Sequence, residues 1–212
     1  MPVTEGQTVC RMVKSARRPD VPKDYRGSYA LVDEHTAQTM ASCDLMGQAT
    51  FSPVSLIDHE HRIWTMRPNR RIMPSRWIVT DPDQSIAVQF DQNISRKILN
   101  PIYRNILTLY DGEGKETCRI ADPRTSTPDR ILGVGPDGWL VLRGEEAVAE
   151  VVRLPGNEGE ATGLLARLRQ FFTSRDIGIK SQGSSHFLPA APALAMLLLI
   201  SELTGSRSGG AT

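Results

Sequence analysis

The chain has 212 residues, 40% of them hydrophobic, with 25 Lys and Arg set against 24 Asp and Glu. That length fits one domain or two small ones and buries a real core without disulfides or metal, and the ordinary apolar share excludes a wholly disordered chain. A formal net charge of +1 excludes strong overall steering toward nucleic acid or an anionic membrane, while leaving a local patch open.

Residues 1–26 contain Arg11, Lys14, Arg17 and Arg18, the prolines Pro19 and Pro22 beyond the basic pair, and no continuous apolar run. They read as a flexible basic N-terminal arm and not as a secretory signal peptide. The ordered domain is then expected over residues 27–204. Tyr29 and Leu31, then Thr39, Ala41 and Cys43, alternate on either side of Asp33-Glu34-His35, which predicts a hairpin. Val54 to Ile57 and Ile63 to Met66 predict two further short strands. Arg76 to Val79, the turn Thr80-Asp81-Pro82-Asp83 and Ile86 to Phe90 form the clearest hairpin in the chain. Ile106 to Tyr110 and Lys115 to Ala121 make the next, around Asp111-Gly112-Glu113-Gly114. Arg130 to Val134, Trp139 to Leu142 and Ala147 to Leu154 continue the series. Short strands with turn signals every 8–12 residues point to an antiparallel sandwich or barrel.

After Pro155 the period changes. Leu164, Leu165, Leu168, Phe171 and Phe172 recur at helical spacing. From Phe187 to Ile200 every residue is hydrophobic, alanine or proline. A membrane span wants about 20 such residues, so a buried helix over 190–203 is the better reading. A helix apolar on all sides must be enclosed. One physical solution is a set of antiparallel strands wrapped around it. Residues 205–212 read as a disordered tail.

The order of these features resembles the tubby C-terminal-like superfamily, in its phospholipid-scramblase-like and LURP-one-related branch. The resemblance rests on Tyr29-Ala30-Leu31-Val32-Asp33, on the Trp77-Ile78-Val79 hairpin with its Asp81-Pro82-Asp83-Gln84 turn, and on Asp176-Ile177-Gly178-Ile179 followed by the helix from Ala190 to Leu203. It implies a mainly β fold, a closed antiparallel barrel of about twelve strands around a buried hydrophobic C-terminal helix. It also implies a binding or scaffold domain, with phosphoinositide or other anionic lipid as a ligand class. The acidic calcium-binding segment of scramblases has no counterpart before Phe187, and scramblase activity is not carried over.

The residues themselves offer no catalytic constellation. No serine sits in a nucleophile elbow, and Ser184-Ser185-His186 lacks an acid partner. Gly133 to Gly138 joins two predicted strands, where a dinucleotide loop would open a helix. His59 and His61 would share a face if they lay on a strand, but helical HExxH spacing is absent and the default is a solvated loop. Cys10, Cys43 and Cys118 are odd in number and far apart, which favours an intracellular setting over a disulfide framework, and Cys43 and Cys118 lie in strand-like segments where buried thiols are common. No cofactor or metal is expected.

One electrostatic feature stands out. Arg62, Arg67, Arg70, Arg71 and Arg76 fall within fifteen residues, interleaved with Trp64 and Trp77. Arginine forks bind phosphate, and tryptophan seats at lipid interfaces. Arg96, Lys97 and Arg104 would extend the patch if their strands were neighbours. The same run is also what an ordinary solvated loop looks like. The expectation is a non-enzymatic domain, cytoplasmic or peripheral to a membrane, that binds an anionic phospholipid headgroup or another phosphorylated ligand through these seven residues. A protein-interaction scaffold is the alternative and an enzyme of unknown reaction the distant one. Nucleic acid is not favoured and no transmembrane span is expected.

Overall fold

The computed structural model describes residues 8–14, 22, 24–92, 105–123, 138–154, 176–181 and 187–205. Among them twelve strands close a barrel: β1 (Thr8–Lys14), β2 (Tyr25–Asp33), β3 (Thr39–Met46), β4 (Val54–Asp58), β5 (Ile63–Pro68), β6 (Arg76–Thr80), β7 (Ile86–Asp91), β8 (Asn105–Asp111), β9 (Glu116–Ala121), β10 (Gly138–Arg143), β11 (Glu146–Leu154) and β12 (Asp176–Ser181). Each strand pairs antiparallel with its sequence neighbours, and β1 pairs with β12 to close the ring. Helix α1 (Ala190–Gly205) follows.

Alternation of side chains explains why these segments form strands. Ala41, Cys43 and Leu45 of β3 are buried, as are Val54 and Leu56 of β4, Trp77 and Val79 of β6, and Val88 and Phe90 of β7. The register sets these inward residues opposite one another: Cys43 faces Leu56, Met66 faces Val79, Val79 faces Val88, Phe90 faces Leu109 and Leu109 faces Cys118. A slip of one residue in any pair would turn that whole set outward. The outward positions include Asp44, Arg67, Gln89, Arg119, Glu150 and Lys180, along with the exposed Ile57, Ile63 and Ile86.

The helix fills the barrel. Eight consecutive residues, Ala193 to Ile200, are each no more than 4% exposed, which only enclosure on every side produces. Sixteen residues give α1 a length of about 24 Å. The amide of Ala193 donates to Pro189 O at 2.9 Å and opens the helical ladder. Pro192 falls in the first turn, where its missing N–H costs least. Burying side chains such as Leu194, Leu197 and Leu199 stabilises the fold by about 1.5–3 kcal/mol each. Among the described residues no helix is long and apolar enough to cross a membrane.

The N-terminal region departs from its sequence reading. Residues 8–14 are the strand that closes the barrel, where an arm over 1–26 was expected, and β2 begins at Tyr25. Cys10 and Met12 are 2% and 3% exposed and face Ile179 and Ile177 of β12. Their period-two alternation is short and flanked by basic residues, which masks it in the sequence. Arg11 points outward to Glu34 at 3.2 Å. Without β1, strands β2 and β12 would be open edges. The predicted strand at 130–134, the Gly133–Gly138 loop, the helical stretch at 164–172, residues 1–7, 15–21 and 23 of the expected arm and residues 206–212 of the tail fall outside the described residues, apart from Gly138, which opens β10. α1 itself extends to Gly205.

An up-and-down barrel has two rims. One, here the turn rim, carries the short turns 34–38, 59–62, 81–85, 112–115 and 144–145 and the start of α1. Four of these turns are built on an aspartate that bonds the backbone beyond it. Asp33 Oδ1 accepts from His35 N and Thr36 N, Asp58 Oδ1 from Glu60 N and Arg62 N, Asp81 Oδ1 from Ser85 N, and Asp111 Oδ1 from Glu113 N and Lys115 N. The other, the loop rim, carries the connections 47–53 and 69–75 and the end of α1.

Candidate functional site

The seven residues of the predicted patch do not converge. Arg62 precedes β5 and Arg70 follows it, so a strand of six residues, about 20 Å long, places them on opposite rims. Arg62 belongs to the turn rim. Its Nε bonds Asp58 Oδ2 at 2.9 Å and its Nη1 bonds Glu60 at 2.9 Å. Trp64 joins the same network by donating its indole N–H to Asp58 Oδ2 at 2.9 Å. Burial of Asp58 opposes its charge, but the indole of Trp64, the backbone and guanidinium of Arg62 and the amide of Glu60 outweigh it and hold the carboxyl down at about 2. His59 and His61 lie exposed in this turn and not on a strand.

Trp77 is a correction to the predicted set. It is 0% exposed and fills the core under the loop rim. The cause lies in the period of β6: Trp77 shares the inward face with Val79, while Arg76 and Ile78 alternate outward or to the flank. Its indole N–H donates to Thr50 O at 2.9 Å, so it positions the 47–53 connection instead of meeting a ligand. Arg76 is exposed but neutralised, with Nη2 2.7 Å from Asp91 Oδ2. Arg67, Arg70 and Arg71 remain, all exposed and with no ion pair among the described residues. Arg96, Lys97 and Arg104 lie outside the described residues.

The loop rim is held from inside. Glu202, on the last turns of α1, accepts from Ala49 N and Thr50 N at 2.8 Å each and from Thr50 Oγ1 at 2.9 Å. The second connection is stapled at its base. Asn69 N donates to Arg76 O at 2.8 Å, Asn69 Oδ1 accepts from Ser75 N and Arg76 N, and Gln92 N donates to Ser75 O at 2.6 Å. What stands beyond the staple is Arg70-Arg71-Ile72-Met73. Ile72 is 81% exposed and Met73 69%, and on the neighbouring connection Phe51 is 47% exposed. Met73 sits at φ +50, in the left-handed region that costs a non-glycine residue about 1–2 kcal/mol. The sequence reading missed Ile72, Met73 and Phe51. The available signal was an apolar pair directly between an arginine pair and a proline, in a stretch with no period.

A cleft of about 700 Å³ opens on the turn rim, among Thr36, Met40, Trp64, Phe187 and Leu188. Its charged groups are consumed internally, Arg62 by two carboxylates and Asp58 by four donors. The three cysteines are buried and free. Burial pushes the Cys10 and Cys43 thiols up to about 12 and raises Cys118 as well. None has the thiolate character that nucleophilic chemistry requires.

No protein-family model matches the chain, and no curated protein matches it. Among solved structures, an X-ray structure of a protein from Arabidopsis thaliana is similar at 13% identity, covering 94% of each chain, with a TM-score of 0.45. A likeness of that size carries no statement about family or function.

Proposed function

We propose that this chain is a tubby-like, non-enzymatic binding domain that docks on anionic surfaces, phospholipid headgroups in particular, through its loop rim. Cytoplasmic placement at the periphery of a membrane is part of the proposal. One observation carries it: Arg67, Arg70 and Arg71 are exposed and without an ion pair among the described residues, and the connections 47–53 and 69–75 beside them hold no acidic residue. Lys14 and Arg26 are exposed on the same rim, with Asp24 between their strands. The turn rim has the opposite character. Each of its five short turns holds a carboxylate: Glu34, Glu60, Asp81 with Asp83, Glu113 and Glu145. Among the described residues the connections 47–53 and 69–75 thus differ in charge from the short turns, where Arg62 and Lys115 are the basic members, and an anionic surface favours approach by Arg67, Arg70 and Arg71.

The test is co-sedimentation with phosphatidylserine-containing and neutral vesicles at low and physiological salt. Each arginine near an anionic surface contributes about 1 kcal/mol. Replacing Arg67, Arg70 and Arg71 by alanine is therefore expected to weaken binding roughly a hundred-fold. Binding that ignores lipid charge, or that survives the triple replacement, would overturn the reading. Absence of binding under all conditions would do so too, and would leave a protein partner as the function of the rim.

A further inference from the structure

The apolar tip beside the arginines has a use of its own. We infer that Ile72 and Met73, with Phe51 on the neighbouring connection, form a wedge that enters the hydrocarbon boundary of the bilayer once the arginines have docked. The inference rests on the anionic-surface reading above and adds its mode of attachment.

The argument starts from exposure. Scattered single apolar residues are normal on a surface, but a contiguous group rimmed by charge marks an interaction site. Ile72 and Met73 are consecutive, and they expose 81% and 69% of their surface at the end of a connection whose base is fixed by Asn69. Phe51 stands on the neighbouring connection, which Trp77 of strand β6 holds by donating its indole N–H to Thr50 O. Both connections are therefore held by the core, and neither folds its apolar residues back. Pro74, directly behind the tip, is buried and limits how the backbone can retreat.

The choice of a bilayer over another protein follows from charge and shape. Arg70 and Arg71 precede the tip directly, and their long side chains reach headgroup phosphates while the residues next in sequence go deeper. A protein groove accepting this tip would have to supply carboxylates for two unpaired guanidinium groups.

The experiment uses the full chain with Ile72→Ser/Met73→Ser, beside Met73→Trp. Both side chains are solvent-exposed, so unchanged urea midpoints are expected and verify folding. With phosphatidylserine vesicles at physiological salt, the serine variant is expected to bind on the order of thirty-fold more weakly, and the tryptophan variant more tightly. Wild-type protein injected under a phosphatidylserine-containing monolayer is expected to raise the surface pressure, and the serine variant not to. Vesicle binding that is equal for wild type and the serine variant, with no rise in pressure, would overturn the wedge while leaving charge-driven docking in place. If wild type fails to bind anionic vesicles at all, the docking reading falls and the wedge with it. Sedimentation showing a wild-type dimer that the serine pair dissociates would also overturn it, giving the tip to a self-interface.

Discussion

Glu202→Ala tests the internal support of the loop rim. The carboxylate closes three hydrogen bonds, to Ala49 N, Thr50 N and Thr50 Oγ1, at 2.8, 2.8 and 2.9 Å. Ala49 is 0% exposed and Thr50 6%, so the truncation strands two buried amides. An unsatisfied buried donor costs about 1–3 kcal/mol. Glu202 is itself half-buried, and water entering its place recovers part of that. A net loss of about 3 kcal/mol is expected, against about 0.5 kcal/mol for an ordinary surface substitution. With a urea slope of about 2 kcal/mol/M the midpoint should fall by about 1.5 M. Thr50→Val removes only the hydroxyl contact and should cost about 1 kcal/mol. The two changes share a partner, so the double variant should lose less than the sum. A midpoint for Glu202→Ala within about 0.3 M of wild type would refute the reasoning, since about 2 kcal/mol/M converts that shift to a surface-sized effect.

Two further outcomes follow from groups already placed. The Asp58 carboxyl, held at about 2, lies below the ordinary carboxylate value. A depressed folded pKa means its contribution is complete above about pH 4 and is lost as pH falls from there toward 2. Denaturation midpoints for wild type and Asp58→Asn should differ by a constant amount above about pH 5 and converge below about pH 4; a constant gap across the whole range would contradict the network. The thiols of Cys10 and Cys43, raised to about 12, and that of Cys118 should resist a thiol-reactive disulfide reagent at neutral pH in native protein. They should react only after unfolding, and rapid labelling of a native thiol would disprove their burial.

Period-two alternation and the wholly apolar last helix pointed to an antiparallel sandwich or barrel and an enclosed helix, because both report burial directly, while the closed twelve-strand form was what the resemblance implied. Val79 facing Val88, and Leu109 facing Cys118, are pairs that alternation alone selects. Strand β1 was hidden because two inward residues, Cys10 and Met12, are a weak signal among basic neighbours, and only its pairing with β12 shows that the ring needs it. The arginine patch misled for a related reason. Closeness in sequence became separation in space once β5 ran between Arg62 and Arg70. The inward position of Trp77 was legible, since it shares a face with Val79. Partners such as Asp91 for Arg76 and Glu60 for Arg62 depend on register and turn geometry, which the sequence does not display. The exposed tip at Ile72 and Met73 escaped because hydrophobic residues are assigned to the core by default.

The central claim is that the loop rim, and not the turn rim, faces an anionic membrane. All three native cysteines are buried, so a single environment-sensitive fluorophore can be attached through Met73→Cys on one rim or Asp83→Cys on the other. On adding phosphatidylserine-containing vesicles, the label at position 73 should shift to the blue and be quenched by lipids brominated in their acyl chains, while the label at position 83 should change in neither respect. Quenching at position 83 with none at position 73 would contradict the account.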